Sequence, residues 1–381
     1  MPTLPVRKFV APEIAVGIGS RRLVAQYARN LSARRVFLVT DPGVARAGWA
    51  GEATDELEDA GLDPAVYDQV SPNPRNDEVM RGADRYQEAG GDLIVAVGGG
   101  SVIDCAKAIG AVASNECDVL DLEGVDEVKL PGPPLVCIPT TAGSSADVSQ
   151  FAIINDQDRR RKIAIVSKSM VPDVSLIDPE TTVSMSPRLT AETGMDAMCH
   201  AFESYVSNAS SVITDLHALE AVRMVRGSLP IVYRDPGDLE HRERVMAGSM
   251  FAGLAFSNAS LGLVHAMAHS LGGYLDAPHG MCNTLLLEHV IAYNRPVVPE
   301  RYRTLEAIMA GNGRRGGPDD PISSIGELIE RLDIERGLAR LGMTEEDIPI
   351  LSRNAQKDPC LATNPRPAGI EDIARLYHDA L

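Results

Sequence analysis

LIVAVGGGSVIDCAKAIG, residues 93–110, decides the fold. An unbroken apolar run rich in branched residues, LIVAV, passes through Gly98, Gly99, Gly100 and Ser101 straight into a helical pattern. A short run without polar alternation reads as a strand buried on both faces, which is the pattern of a parallel sheet. Glycines let the backbone turn tightly and approach a ligand. The helix that follows offers free N–H groups and the positive end of its dipole to a phosphate. Three consecutive glycines exceed what a plain strand-to-helix turn requires, so the loop is a candidate pyrophosphate site. No Walker A pattern occurs, which sets aside a P-loop ATPase.

Outward from this loop, three further runs read as strands: VFLVT at 36–40, LVCI at 135–138 and VSLI at 174–177. GWAGEATDELEDAGL and EVMRGADRYQEAG, between the first two strands, carry helical periodicity with glycine at or near their ends. Strands alternating with helices give an α/β N-terminal nucleotide-binding domain with a mainly parallel sheet. After about residue 180 the strand signals fade, and helical segments follow at 188–207, 211–228, 240–256, 260–275 and 283–294. The expected division is 1–183 for the α/β domain and 184–381 for an all-α C-terminal metal-binding domain. A length of 381 residues suits two domains, because single cores stop growing at roughly 250–300 residues. GNGRRGGPDDP at 311–321 reads as a surface loop within the helical half.

Two more features sit beside the glycine loop in this reading. Asp41 ends the first strong strand, where it either approaches a ribose or simply caps a turn before Pro42. It precedes the glycine loop, whereas the familiar dinucleotide fingerprint puts its acidic residue about 20 positions after it. IPTTAGSSADVS supplies Thr140, Thr141, Ser144 and Ser145 at the end of another strand, where hydroxyls and amides suit phosphate or nicotinamide contacts. VGIGSRRL is a decoy, since Gly17 and Gly19 lack a third glycine and a surrounding βαβ unit.

Composition narrows the partners. A net charge of −17 with no basic stripe argues against nucleic acid, and RRRK at 159–162 is the one locally basic run. The six cysteines show neither CxxC spacing nor the density of a disulfide scaffold, so they read as reduced thiols. No apolar run approaches the ~18 residues of a membrane span, and MPTLPVRKFVAPEI has no signal pattern. The expected location is the cytoplasm, with no membrane partner.

Of eight histidines, five crowd into one region with an aspartate: Asp196, His200, His265, His269, His279 and His289. Asp196/His200 and His265/His269 are each spaced i, i+4, which puts each pair on one face if the segments are helical. Singly, each has a bland reading as a solvated or hydrogen-bonded side chain. Jointly, two such pairs plus His279 in a Pro-Gly turn point to a divalent metal. Three His and one carboxylate suit Fe²⁺, Zn²⁺, Co²⁺ or Mn²⁺. Spacing alone leaves open which of His265 and His269 coordinates.

GGGSVIDCAKAIG, PTTAGSSADVS, GMDAMCHAFESYVS and GLVHAMAHSLGGYLDAPHG together resemble the iron-containing alcohol dehydrogenases, over nearly the whole chain. The resemblance implies a dehydroquinate-synthase-like architecture, NAD(P) in the α/β domain and iron in the helical one. Matched motif by motif, it implies that Asp196, His200, His265 and His279 are the ligands. His269 falls at the histidine beside the nicotinamide, and His289 matches no ligand. Asp41 falls where a carboxylate favours NAD over NADP. Asn73, Gly98, Gly99, Gly100, Ser101, Val102, Asp104, Thr140, Thr141, Ser144 and Lys162 fall at cofactor-contacting positions.

Departures from the pattern are Phe151, where some relatives have a polar residue, and Cys282 and Thr284, where small residues are common. Phe151, Phe256 and Cys360 are candidates for lining the substrate pocket. The tail DPCLATNPRP resembles a subgroup linked to regulation of ethanol metabolism.

The expected chemistry is reversible hydride transfer between a small primary alcohol or diol and NAD, with His269 relaying the proton. A homodimer or higher homo-oligomer is expected from the family and from base rates. Two alternatives are a dehydroquinate-synthase-like lyase that recycles its NAD and a non-catalytic regulatory protein that keeps the fold.

Overall fold

A computed structural model describes residues 6–311 and 321–381. The stretch 311–321, expected to be a surface loop, falls outside the described residues except at its ends. Contacts divide the chain into two compact units. One comprises residues 11–185, the other 186–381 together with the leading segment to Val10. The expected division at 183/184 kept that leader with the sheet. Asn258 draws it instead to the helical unit, accepting from the Val10 N–H at 2.7 Å and donating to its carbonyl at 3.0 Å.

Nine strands lie in the first unit: β1 Glu13–Val16, β2 Val36–Val39, β3 Ala65–Tyr67, β4 Leu93–Gly98, β5 Gly124–Val125, β6 Leu135–Pro139, β7 Phe151–Asp156, β8 Arg161–Val166 and β9 Val174–Ile177. Six form a wholly parallel sheet in the order β1-β9-β6-β4-β2-β3. Alternation along β2 and β4 serves both faces. Phe37, Val39, Ile94 and Ala96 pack with helices Asn76–Ala89 and Gly100–Asn115. Val36, Leu38, Val95 and Val97 pack with Val24–Asn30 and Trp49–Asp59. Both strands are buried throughout, which is why they read as unbroken apolar runs.

From β2 the chain enters Trp49–Asp59 on one face and returns to β3. From β4 it enters Gly100–Asn115 on the opposite face and returns to β6. Because β2 and β4 are neighbours, the chain leaves their carboxyl ends in opposite directions and opens a crevice there. Such a switch point is where open α/β sheets bind ligands.

A second sheet, β5-β8-β7, was not foreseen from the sequence. β7 and β8 form an antiparallel hairpin, and the basic run 159–162 is its turn and return strand. Arg161 is neutralised there by Glu123, at 2.5 and 2.6 Å.

Among the described residues no strand follows Ile177, and the second unit is helical. Pro187–Val206, Val212–Arg234, Leu239–Ala259, Leu263–Leu275 and His279–Asn294 carry the region of interest. The first begins on a Ser186 cap that accepts from the Leu189 N–H at 3.1 Å, with Pro187 at the first helical position. His279 is the first residue of its helix rather than part of the preceding turn, so that helix starts earlier than the expected 283. Among the described residues no single helix is long and apolar enough to cross a membrane.

Candidate functional site

Asp196 and His200 project from one face of the buried helix Pro187–Val206, and His265 lies on Leu263–Leu275. His279 arrives because helix His279–Asn294 packs backbone to backbone on the first helix. A Cβ at Gly280 would lie 2.2 Å from the Glu192 carbonyl oxygen, so only glycine permits this approach. The Nε2 atoms of His200, His265 and His279 lie 3.8, 3.8 and 3.7 Å from Asp196 Oδ1. Donors at roughly 2.0–2.2 Å from a tetrahedral metal are about 3.3–3.6 Å apart, so these edges are slightly wide for such a site. Asp196, His200 and His265 are buried, and His279 is the partly open member.

Asn283 tests whether the group of four suits a cation. Its amide nitrogen sits among three of the donors, 2.6 Å from Asp196 Oδ1, 3.0 Å from His265 Nε2 and 3.2 Å from His279 Nε2. Its own Oδ1 is buried without a hydrogen-bond partner. A positively polarised N–H₂ group thus sits between Asp196, His265 and His279. The arrangement fits a divalent metal ion.

Glu203, one turn beyond His200, lies behind His265. Its carboxylate accepts from His265 Nδ1 at 2.6 Å and from the N–H groups of Gly262, Val264 and His265 at 3.1, 2.7 and 3.3 Å. It therefore caps helix Leu263–Leu275 and fixes the His265 tautomer with the Nε2 lone pair facing Asp196. Burial raises its pKa to about 7, against the opposing pull of those backbone N–H bonds. Burial, reinforced by the neighbouring His200, pushes His265 well below the usual imidazole value.

His269 faces another partner. Its Nδ1 lies 2.8 Å from Asp358 Oδ2, and its ring stacks on His279 at 5.3 Å between centroids. Burial pushes the Asp358 pKa upward, but the charge and hydrogen bond of His269 outweigh it and leave the carboxyl below its usual value. The tail motif sits here because Asn364 accepts from the Leu263 N–H at 3.1 Å and exchanges amide bonds with Asn294. Phe256 stacks on His200 at 4.4 Å. His289 lies ten residues along its helix from His279, half-buried and outside the group of four.

In the sheet unit, Gly98, Gly99 and Gly100 adopt no left-handed backbone; what they need is space. A Cβ at Gly100 would lie 2.5 Å from Ser144 Oγ, and one at Gly99 would lie 3.0 Å from Thr141. The glycine loop and the TTAGSS turn are thus in contact, joined by the Thr140 N–H bond to the Gly98 carbonyl at 3.0 Å. Ser101 and Val102 occupy the first turn of Gly100–Asn115, whose N-terminus carries no side-chain cap. That leaves amides for an anion.

Asp41 caps the short helix Pro42–Ala47, accepting from the Gly43 and Val44 N–H groups at 2.7 and 3.0 Å, at the end of β2 beside this loop. Asn73 turns at φ 54° in the loop after β3, which the Asn155 N–H ties to β7 through Pro74 at 2.8 Å. Asp104 accepts from the Ile153 N–H at 3.2 Å, and Lys162 pairs with Asn155 in the hairpin.

Sequence reading missed Glu203, Asn283 and Asp358. The first two carry a usable signal, because Glu203 is i+3 from His200 and Asn283 is i+4 from His279. Asp358 comes from a distant turn and carries none.

The iron-containing alcohol dehydrogenase model matches residues 11–179, and that family's C-terminal domain model matches 190–381. The chain belongs to the iron-containing alcohol dehydrogenase family. It is 38% identical to alcohol dehydrogenase 4 of Saccharomyces cerevisiae over 98% of this chain and 97% of the relative. It is 34% identical to the NAD-dependent methanol dehydrogenase of Bacillus methanolicus over 98% and 99% of the respective chains. A crystal structure of a 1,3-propanediol oxidoreductase superposes with a TM-score of 0.95 at 34% identity, covering 99% of this chain and all of that one.

Proposed function

We propose that this chain reversibly oxidises a small primary alcohol or diol to the aldehyde with NAD, using Fe²⁺ held by Asp196, His200, His265 and His279; Zn²⁺, Mn²⁺ or Co²⁺ can replace it. Family membership and the activities named for its relatives support an alcohol or aldehyde oxidoreductase. The observation that carries the metal assignment is the convergence of three imidazole nitrogens and one carboxylate oxygen on one another, with the Asn283 amide lying against Asp196, His265 and His279.

A divalent metal supplies Lewis acidity that lowers an alcohol's pKa and polarises an aldehyde; the roughly 9-unit drop known for water on zinc is worth about 12 kcal/mol. NAD supplies the hydride acceptor. His265 presents its Nε2 lone pair because its Nδ1–H donates a hydrogen bond to Glu203. His269 relays the alcohol's proton at Nε2, since Asp358 engages Nδ1. The first-turn amides of Gly100–Asn115 take the pyrophosphate. Asp41 would lie on the ribose side of the bound cofactor, where its carboxylate would repel a 2′-phosphate.

The six free cysteines and the absence of a disulfide support a reducing compartment such as the cytoplasm. A homodimer or higher homo-oligomer is the reading for assembly.

Anaerobic reconstitution with Fe²⁺, Zn²⁺, Mn²⁺ or Co²⁺, followed by an NAD⁺-reduction screen over C2–C6 alcohols and diols, tests the proposal. NADH formation on at least one metal is expected. Folded, metal-loaded protein that forms no NADH on any alcohol would sink it and favour the lyase or regulatory alternative.

A further inference from the structure

The tail carries a second set of metal-ligand atoms. One donor atom from each of His269, Asp358 and Cys360 lies within 4.8 Å of the other two, and none of these residues belongs to the first group of four. Asp358 is the hub. Its Oδ2 meets His269 Nδ1 at 2.8 Å, and its Oδ1 accepts from the Cys360 N–H at 2.8 Å. His269 and Cys360 are 6% and 1% exposed, so the donors are held in place by packing and by the turn at 358–360. Nitrogen, oxygen and sulfur together suit Zn²⁺, or Co²⁺ in its place, whereas Mg²⁺ prefers oxygen alone.

We propose that His269, Asp358 and Cys360 form a second, inhibitory site for a thiophilic divalent cation, Zn²⁺ in the first instance, separate from the Asp196/His200/His265/His279 centre. On binding, the cation takes the place of the His269 Nδ1 proton that now faces Asp358 and of the Cys360 thiol proton. The thiol proton leaves to solvent, because a coordinating thiol is deprotonated outright. His269 coordinates through Nδ1, so the single proton of its neutral ring passes through solvent from Nδ1 to Nε2. That atom is then a donor and no longer accepts a proton from the alcohol. The inhibitory part rests on the proton-relay role given to His269, while the site itself does not.

Cobalt separates the two centres, since the first contains no sulfur donor. Metal-depleted full-length protein, kept reduced and anaerobic, is titrated with Co²⁺ while near-ultraviolet absorption is recorded. The expected result is a thiolate-to-cobalt charge-transfer band that grows with the second equivalent. It persists in His200→Ala, is absent in Cys360→Ser and needs at least tenfold more Co²⁺ in Asp358→Asn. Circular dichroism confirms that each variant is folded. Absence of the band from wild-type protein through several equivalents, or its survival in Cys360→Ser, overturns the site. In turnover assays, Zn²⁺ beyond one equivalent is expected to inhibit wild-type protein at concentrations at least tenfold below those needed for Cys360→Ser. Equal inhibition of both overturns the inhibitory role.

Discussion

Glu203 Oε2 lies 2.6 Å from His265 Nδ1, and the same buried carboxylate holds three N–H groups at the start of the helix that carries His265. One side chain thereby sets the position, ring orientation and tautomer of a proposed ligand. Replacing Glu203 with Gln removes the charge and turns one acceptor into a donor facing N–H groups. Metal affinity, read by competition with a chelator, is expected to fall roughly 10- to 100-fold, the usual effect of losing such a partner. Unchanged affinity would contradict the role.

His269 is separated from the group of four by its partner, Asp358. His269→Ala should keep its metal while kcat falls roughly 10²- to 10⁴-fold, the range of a lost general acid or base. Metal analysis beside steady-state rates decides this. Loss of metal would make His269 a ligand instead.

Gly100→Ala places a Cβ 2.5 Å from Ser144 Oγ, forcing apart the glycine loop and the TTAGSS turn. Overpacking of this kind costs about 1–3 kcal/mol. NAD binding, measured by fluorescence titration, should weaken by roughly fivefold at the lower end of that range and about a hundredfold at the upper end. Metal content should stay the same.

Asp41 caps a helix and, in the proposed function, also selects the cofactor, and one substitution separates the two roles. Asp41→Asn keeps an oxygen to accept from the Gly43 and Val44 N–H groups, so the helix cap survives. Removing the charge should raise the kcat/KM ratio for NADP over NAD. Asp41→Ala should do the same and also lose about 1 kcal/mol of stability. An unaltered ratio in both variants would remove Asp41 from cofactor selection.

The strands legible in the sequence are those buried on both faces. VFLV, LIVAV, LVCI and VSLI occupy the sheet interior, where the one polar residue, Ser175, is buried and donates to Asp147 at 2.6 Å. EIAV escaped notice because it is a short edge strand with exposed ends, and AVY because it is only three residues long at the other edge. The β7–β8 hairpin was hidden by the charged turn DQDRRR, whose basic side chains are paired only after folding. The i, i+4 pairs showed that histidines converge, because helical spacing is local. They did not distinguish His265 from His269, since that depends on which carboxylate each ring meets. Glu203 and Asp358, from other elements, separate the two rings in space.

The most direct test is metal content and NADH formation measured on the same preparations of wild-type and His265→Ala protein after anaerobic Fe²⁺ loading. The expected result is one equivalent of iron and alcohol-dependent NADH formation for wild-type protein, with both lost together in the folded variant. Full iron content and full rate in His265→Ala would contradict the metal-centred account.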